Sequence, residues 1–565
     1  RQNRRFNHQK RHVRFFKHLS IPPYLSSINF DISSIGSLCN MTPATLIILA
    51  TLLVIFLFKM KRVRLFQQQC ECLRRLPPGP PTLPIIGNMH QMIWHKPAVF
   101  RWIHRLLEEM KTDIMCLRLG ATHIVVVKCP MIARELLRKN DAVLASRPTT
   151  FTSGAFSFGY KGTVLTPYGE QWKKMRQVLT CEVLTSSMDR RLHHLRKEEY
   201  NYLVRYINNM ARPNNLVDIR HVAQNFCCNI IRMLVFGKRY FSDDIPASST
   251  SGPGRDEVAH VSALFTALNH LYSFCVSDYF PVLIGLDLEG HEMVTRNVLR
   301  VLNRIHDPII EKRLHERSMK LEKGGKKKEP RDFLDLLVYL EDADGQQLLS
   351  LQEIRAQTME MMLATIDNPS NAVEWALAEM MNKPEIMQRA MDELDDIVGK
   401  DRLVEESDIP RLNYLKSCIR EAFRLHPYHA LNVPHVAMAD TTVAGYTIPK
   451  NSHIILSRLG LGRNPKIWNE PLEFRPERHL NTTNVILTEP DLRFISFSSG
   501  RRGCPGILLG TSVTMMLFAR MLQGFAWTKP PRAHSISLQE GISNLTLAEP
   551  LVLHAKPRLA THLYI

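Results

Sequence analysis

Beyond Thr180 apolar positions recur every three to four residues over long stretches. This spacing predicts helices over Leu192–Asn209, Ala259–Tyr272, Glu292–Glu316, Leu351–Met381 and Pro384–Val398. One more long, almost wholly apolar helix is expected over roughly Gly506–Phe525. Strand-like segments are short: Ile124–Lys128, Thr441–Ile448 around a central Ala-Gly, and His453–Ser457. No internal repeat and no extended low-complexity tract interrupts them. The expected fold class is mainly α with a small β region.

A different apolar pattern lies near the amino terminus. Met41 is the first methionine. An uncharged run, Pro43 to Phe58, follows it, and then Lys59, Lys61, Arg62 and Arg64. A run of this length suits the thin endoplasmic reticulum bilayer, and it lacks a small-residue cleavage site. Residues 41–60 therefore read as one transmembrane signal anchor, with the positive flank holding the following domain in the cytosol. The alternative is a cleaved secretory signal. Residues 1–40 are basic, carry a single acid, Asp31, and contain no methionine. They fit a transit peptide or a basic extension outside the native protein; the second is expected, because a start at Met41 puts the anchor at the terminus. Residues 61–84 read as a basic and Pro-rich linker ending in Leu76-Pro-Pro-Gly-Pro-Pro81, a semi-rigid spacer. Residues 85–565 read as one catalytic domain, because the motifs below converge on one cofactor.

Composition narrows the class. The 565 residues are 45% hydrophobic, ample for a large core. The 11 cysteines have no paired spacing; Cys227-Cys228 are adjacent and Cys70-x-Cys72 nearly so. That pattern suits neither a disulfide framework nor a zinc site, and points to a reducing compartment. The net charge of +19 has no basic helix interleaved with aromatics, so no nucleic-acid partner is expected. A membrane-apposed protein that docks an acidic electron donor fits better.

The chemistry concentrates in Phe497-Ser-Ser-Gly500-Arg-Arg502-Gly-Cys504-Pro-Gly506. One cysteine sits on a glycine-bounded loop just before the apolar helix. A lone cysteine in such a turn is usually an inert core residue; four spaced partners argue otherwise. Gly500 and Gly506 would let the backbone turn and approach a flat cofactor. The helix amino terminus would stabilise a thiolate. Phe497 would shield the sulfur, and Arg502 would pair with a haem propionate. Thiolate ligation favours O–O cleavage at haem iron.

Phe-x-x-Gly-x-Arg-x-Cys-x-Gly resembles the haem-binding loop of cytochromes P-450, and the expected fold is that family's, preceded by the anchor helix. The resemblance implies further roles. Trp172-Lys-Lys-Met-Arg176 lies where the family has its propionate-binding helix, with Trp172 and Arg176 on one face. His435, in Asn-Val-Pro-His435-Val-Ala, occupies a propionate-facing position, with a core histidine as the alternative reading. Glu421-Ala-Phe-Arg424, with Phe474-Arg-Pro-Glu-Arg478-His479, matches the family's buried ion network of Glu421, Arg424 and Arg478, a structural role. The helix around Asp367 reads Ala364-Thr365-Ile366-Asp367-Asn368-Pro369-Ser370. Asp367 keeps the acid that delivers protons to iron-bound dioxygen. Asn368 replaces the usual threonine, and Pro369 should kink the helix and leave a polar groove.

Asn368-Pro-Ser-Asn-Ala372 and the Pro-Glu-Arg-His ending at His479 resemble one plant branch, the amino-acid N-monooxygenases that make aldoximes (family seventy-nine). Tyr168-Gly-Glu-Gln-Trp-Lys-Lys-Met-Arg176, Asp440-Thr-Thr-Val-Ala-Gly445 and Gly460-Leu-Gly-Arg-Asn-Pro465 add to it. The resemblance implies haem b ligated by Cys504, O2, and electrons from NADPH through cytochrome P-450 reductase. It implies conversion of an amino acid to its aldoxime for defence metabolites such as cyanogenic glucosides, glucosinolates or oximes. Departures bear on the pocket: Ser153-Gly154 for a usual Thr-Glu, Leu431 and Thr546 for usual phenylalanines, and Pro505-Gly506 after the ligand. The loss of bulk at Leu431 and Thr546 leans towards an aromatic substrate. The rival readings are a C-hydroxylase of small lipophilic molecules and a reductase-independent haem-thiolate isomerase or lyase.

Overall fold

The computed structural model describes residues 76–211, 216–239, 254–271, 273–322, 329–480, 484–531 and 533–564. The anchor expected over 41–60 and most of the linker expected over 61–84 lie outside them. The helices include α1 (Val99–Glu109), α2 (Phe151–Phe156), α3 (Glu170–Val178), α4 (His193–Ala211), α5 (Ile219–Phe236), α6 (Arg255–Leu271), α7 (His291–Glu322), α8 (Leu351–Asn382), α9 (Pro384–Ile397), α10 (Asn413–Leu425) and α11 (Ile507–Gly524).

The local chemistry explains the ends of the central helix. Ser350 Oγ accepts from the Glu353 N–H at 3.3 Å, and Glu353 Oε2 accepts from the Ser350 N–H at 2.8 Å, a capping box that starts α8. Lys383 ends it, and Pro384 opens α9. α8 packs against α5, α10 and α11 in one continuous apolar core. Among the described residues α11 is one helix long and apolar enough to cross a membrane, but 67% of it is buried inside the domain, so it is a core helix.

The β region is small. Strands β1 (Ile114–Leu119) and β2 (Thr122–Val127) pair antiparallel. β3 (Leu216–Asp218) lies elsewhere, and β4 (His435–Val436) precedes the hairpin of β5 (Thr441–Val443) and β6 (Tyr446–Ile448). The hairpin turn is Ala444-Gly445, both at positive φ, as a two-residue turn of this hand requires. β7 (His453–Leu456) runs parallel to β2 and antiparallel to β4, giving the order β1-β2-β7-β4. The last strands, β8 (Phe525–Thr528) and β9 (Val552–Pro557), complete a second sheet with β3.

One expected spacer is built into the domain instead. Pro78 O accepts from the Cys116 N–H of β1 at 2.8 Å, and the Asn88 side chain donates to Pro81 O at 3.0 Å. A Cβ on Gly79 would lie 1.9 Å from Cys116 O, so the Pro-rich segment is docked on the sheet rather than held off it. Proline's missing N–H suits a docked edge segment of this kind.

Candidate active site

The loop before α11 is shaped by hydrogen bonds of its own. The Cys504 N–H donates to Phe497 O at 2.8 Å, and the Gly503 N–H to Gly500 O at 2.9 Å. Gly500 has φ 75°, and a Cβ there would lie 2.3 Å from Leu137 O, so only glycine fits. Gly506 departs from expectation: it has φ −92° and room for a Cβ, so the turn itself does not require it. It caps α11, and its N–H is bonded to Cys504. Burial pushes the Cys504 thiol up; that N–H and the positive charge of Arg176 pull it back down. Phe497 stands edge-on to Phe423, 6.2 Å between centroids, and packs against Gly510 of α11.

Five cationic or imidazole side chains, Arg147, Arg176, His435, Arg458 and Arg502, gather on the same cavity, about 290 Å³, with Trp172, Phe497 and Cys504. Arg502 donates to the carbonyls of Ala145, Thr163 and Thr166, and its guanidinium lies 4.6 Å over the Trp172 ring. Arg147 donates to Val433 O and Pro434 O at 3.0 and 2.8 Å. Arg176 lies on α3. His435 Nδ1 donates to Leu144 O at 2.8 Å, the tautomer that this carbonyl selects. Burial first, then the neighbouring Arg147, push Arg502 down to about 8; the buried Glu360 opposes this and Arg176 adds to it. Burial and the same Arg147 push His435 down to about 3. Cations crowded this closely are relieved by anions. A half-buried thiol on a cavity lined by guanidiniums, Phe497 and Leu509 fits a flat apolar macrocycle with two carboxylates, that is, a haem.

α8 also contributes to this cavity. Ala364, Thr365, Asp367 and Asn368 all line this cavity. Asp367 Oδ1 accepts from the Asn368 N–H at 2.7 Å and from Asn368 Nδ2 at 2.9 Å. His429 Nε2 lies 3.4 Å from Asp367 Oδ2. The helix runs through Pro369 without a break. The ring removes the bond to Thr365 O, and Ser370 Oγ donates to Ile366 O and Asp367 O at 2.7 and 3.1 Å.

Behind the cavity Glu421 accepts from Arg424 at 2.7 and 2.8 Å, from Arg478 Nε at 2.9 Å and from His479 Nε2 at 2.8 Å. Burial alone would raise Glu421, but the hydrogen bonds from Arg424 and His479 hold it at about 2. His479 Nδ1 accepts from Arg420 Nε at 3.2 Å, so the neutral ring donates from Nε2. The network expected from Glu421, Arg424 and Arg478 thus has His479 as a fourth member.

Residues 77–554 match the family model for cytochrome P-450. The chain belongs to the cytochrome P-450 family. Relatives include a tyrosine N-monooxygenase of Sorghum bicolor, 54% identical over 86% of this chain and 87% of that one. A valine N-monooxygenase 2 of Manihot esculenta is 52% identical over 86% and 89%. A tryptophan N-monooxygenase 1 of Arabidopsis thaliana is 49% identical over 86% and 89%. A zebrafish cytochrome P-450 solved with abiraterone shares the fold, with TM-score 0.64 at 24% identity over 81% of this chain and 99% of that one.

Beside the inner cavity of this cytochrome P-450 lies an outer chamber of about 700 Å³. The two share Arg147, Leu165, Leu271, Asn432 and Val433 as walls. Ser153, His429 and Leu431 line the outer chamber. Thr546 was expected on the pocket wall but donates to Asn544 Oδ1 at 2.8 Å, and Asn544 is the residue that lines it. Sequence reasoning passed over Arg147, His429 as a partner of Asp367, and His479 in the ion network. Only His479 carried a local signal, in the Pro-Glu-Arg-His motif.

Proposed function

We propose that this cytochrome P-450 converts an L-amino acid to its aldoxime by two N-hydroxylations, dehydration and decarboxylation. The product would enter defence-metabolite biosynthesis. The observation that carries this reading is the convergence of Cys504, the cation cluster and Asp367-Asn368 on one cavity, in a chain about half identical to relatives named for N-oxidation of tyrosine, valine and tryptophan. Haem b, bound through Cys504, would supply O2 activation with electrons from NADPH by way of cytochrome P-450 reductase.

The chain's own residues divide the work. Trp172, Arg176 and Arg502 would hold the propionates, with Arg147 beside them; His435, its Nδ1 already bonded to Leu144 O, would join them only as the imidazolium, donating from Nε2. Phe497 shields the sulfur. Asp367 and Asn368 would manage protons and water beside the haem, Asn368 having its amide nitrogen tied to Asp367 and its Oδ1 left to accept from water. A zwitterionic substrate needs partners for both charges, since burying an unpaired charge is costly. The open space beside Leu431 favours an aromatic side chain.

An apolar surface supports membrane apposition. Phe274, Val276, Tyr279 and Phe280 pack against the apolar cluster that holds Met89, Met92 and Trp102, and close to these residues in sequence Trp94 is exposed at 76%, Val282 at 84% and Leu288 at 66%. A patch of this kind marks an interaction surface. With the anchor expected over 41–60 it would lie on the endoplasmic reticulum membrane, the catalytic domain facing the cytosol.

The test is expression of residues 41–565 in microsomes with a plant reductase and NADPH, offering the protein amino acids singly. An aldoxime detected by mass spectrometry is the expected result. A hydroxylated product that keeps its carboxyl group, or turnover without NADPH, would overturn it.

A further inference from the structure

His429 stands at the boundary of the two cavities. It lines the outer chamber, and its partner Asp367 lines the inner one. The ring is 13% exposed, and its Nε2 lies 3.4 Å from Asp367 Oδ2. It is held edge-on to Tyr428, 4.5 Å between centroids at 89°. The pair joins the loop after α10 to the middle of α8, so neither ring nor carboxyl group is merely solvated.

An amino acid arrives as a zwitterion, with its nitrogen protonated. An ammonium has no lone pair, so its nitrogen cannot be N-hydroxylated until a proton leaves. Resting on the function proposed above, we infer that His429, backed by Asp367, is the base that takes the proton from the α-ammonium group as the substrate passes from the outer chamber to the inner cavity. One N–H bond breaks and its electron pair stays on the nitrogen. The proton moves to the imidazole, whose positive charge then faces Asp367. Nothing is oxidised in this step. A nucleophile-side base oriented by a third group is a recurring arrangement in catalysis.

The surroundings of the ring suit an acceptor. Burial lowers His429, so it arrives neutral; Arg458 beyond β7 pushes the same way, and Asp367 opposes both. Tyr428 is the titratable neighbour on its own loop, and Cys227 of α5 faces Asp367 from the other side. The same geometry gives the ammonium an attractive partner before transfer, because Asp367 lines the inner cavity.

The N-hydroxyamino acid separates this role from a structural one. Its nitrogen is far less basic and already neutral at pH 7, so it needs no base. The full chain with haem and reductase is compared with His429→Gln, which keeps the volume but cannot take a proton. Expected is a loss of about 100-fold in kcat/KM for the L-amino acid at pH 7, shrinking as pH rises towards 9, with the N-hydroxyamino acid changed by less than about threefold. A second readout needs no turnover. Infrared difference spectra of the ferric protein should show an imidazolium band when the amino acid binds, and none in His429→Gln or with the N-hydroxyamino acid. The reduced carbon-monoxide spectrum checks that the variant is folded, and His429→Asn replaces it if it is not. Equal losses on both substrates, or no imidazolium band in the wild type, would overturn the inference. A wild type that makes no aldoxime from any amino acid would instead sink the proposed function, and the inference with it.

Discussion

Glu421 and Asp367 are both buried carboxyl groups on packed helices, and each faces a histidine, yet their surroundings differ. Glu421 is fully enclosed, and its two oxygens receive hydrogen bonds from Arg424, Arg478, His479 and the Arg475 N–H. Asp367 has one oxygen tied to Asn368, and the other has the His429 ring at 3.4 Å on the wall of a cavity. A carboxylate with every lone pair taken cannot exchange a proton without breaking the fold. A carboxyl group with a looser second oxygen can. The first arrangement holds elements together; the second is suited to a visiting substrate.

The largest effect should come from breaking the closed cluster. Glu421→Ala strands the Arg424 guanidinium, which is 0% exposed, and Arg478 beside it. Removing one partner of a buried pair costs about 3–5 kcal/mol. The expected outcome is little or no folded holoprotein, read as loss of the reduced carbon-monoxide spectrum together with the circular dichroism of folded helices.

Acid attacks the same cluster. Burial pushes Glu421 up, but Arg424 and His479 hold it at about 2, below its ordinary value of 4.5. A group lowered on folding contributes stability that is present above its unfolded pKa and lost as pH falls through the folded one. The window here runs from about pH 5 down to 2 and is worth about 3 kcal/mol. Far-ultraviolet circular dichroism should show stability steady above pH 5 and falling steeply below it. His479→Phe removes one donor to Glu421 among aromatic neighbours Trp468 and Phe494, so the acid midpoint should move upward. An unchanged midpoint would mean that His479 does not hold Glu421 down.

Next comes the open cluster. Asp367→Asn keeps the shape and the contact with Asn368 but removes the acid. Oxime formation should fall about 100-fold, while the urea midpoint shifts by no more than about 1 kcal/mol of stability. A large stability loss with activity falling in proportion would erase the contrast between the two clusters.

How much of this was legible in the sequence follows from how local each feature is. The Cys504 loop writes its ligand, glycine turn and helix start within ten consecutive residues, so it reads directly. α8 was placed to within a residue because capping residues mark its start and Pro384 follows its end. α5 showed no stripe, because every residue from Asn225 to Phe236 is buried and a helix buried all round has no polar face. β1 was missed for the same reason: five of its six positions are buried, with no alternation. The Asp367–His429 contact joins residues 62 positions apart, read from their numbers, and only the folded chain brings them together. Arg147 lay in an unremarkable Ser-Arg-Pro, and three backbone carbonyls distant in sequence help to fix its place in the cation cluster.

A smaller effect tests Asn368. Asn368→Thr removes the amide that donates to Asp367 and supplies a hydroxyl in its place. If Asn368 sets water and proton delivery, the fraction of NADPH consumed that appears as oxime should change about tenfold, or ~1.4 kcal/mol. Unchanged yield and coupling would remove Asn368 from the open cluster.

The smallest effect lies at the rim, where the chemistry is untouched and only shape changes. Leu431 is half-buried, contacts the apolar clusters around Phe100 and Ala430, and lines the outer chamber with His429 two residues away. Its backbone bridges Ser457, which fixes the direction of the side chain more firmly than a free loop would. Leu431→Phe adds a ring to that wall without touching Asp367, His429 or Cys504. Bulky amino acids should lose several-fold in kcat/KM relative to small aliphatic ones, about 1 kcal/mol, as expected for a change of a few carbon atoms in an apolar pocket. Competition between an aromatic and an aliphatic amino acid in one reaction reads the ratio directly. A uniform fall for both would mean that Leu431 supports the loop carrying His429; a shift in the ratio alone would place selectivity in the outer chamber and leave the proton chemistry to the junction behind it.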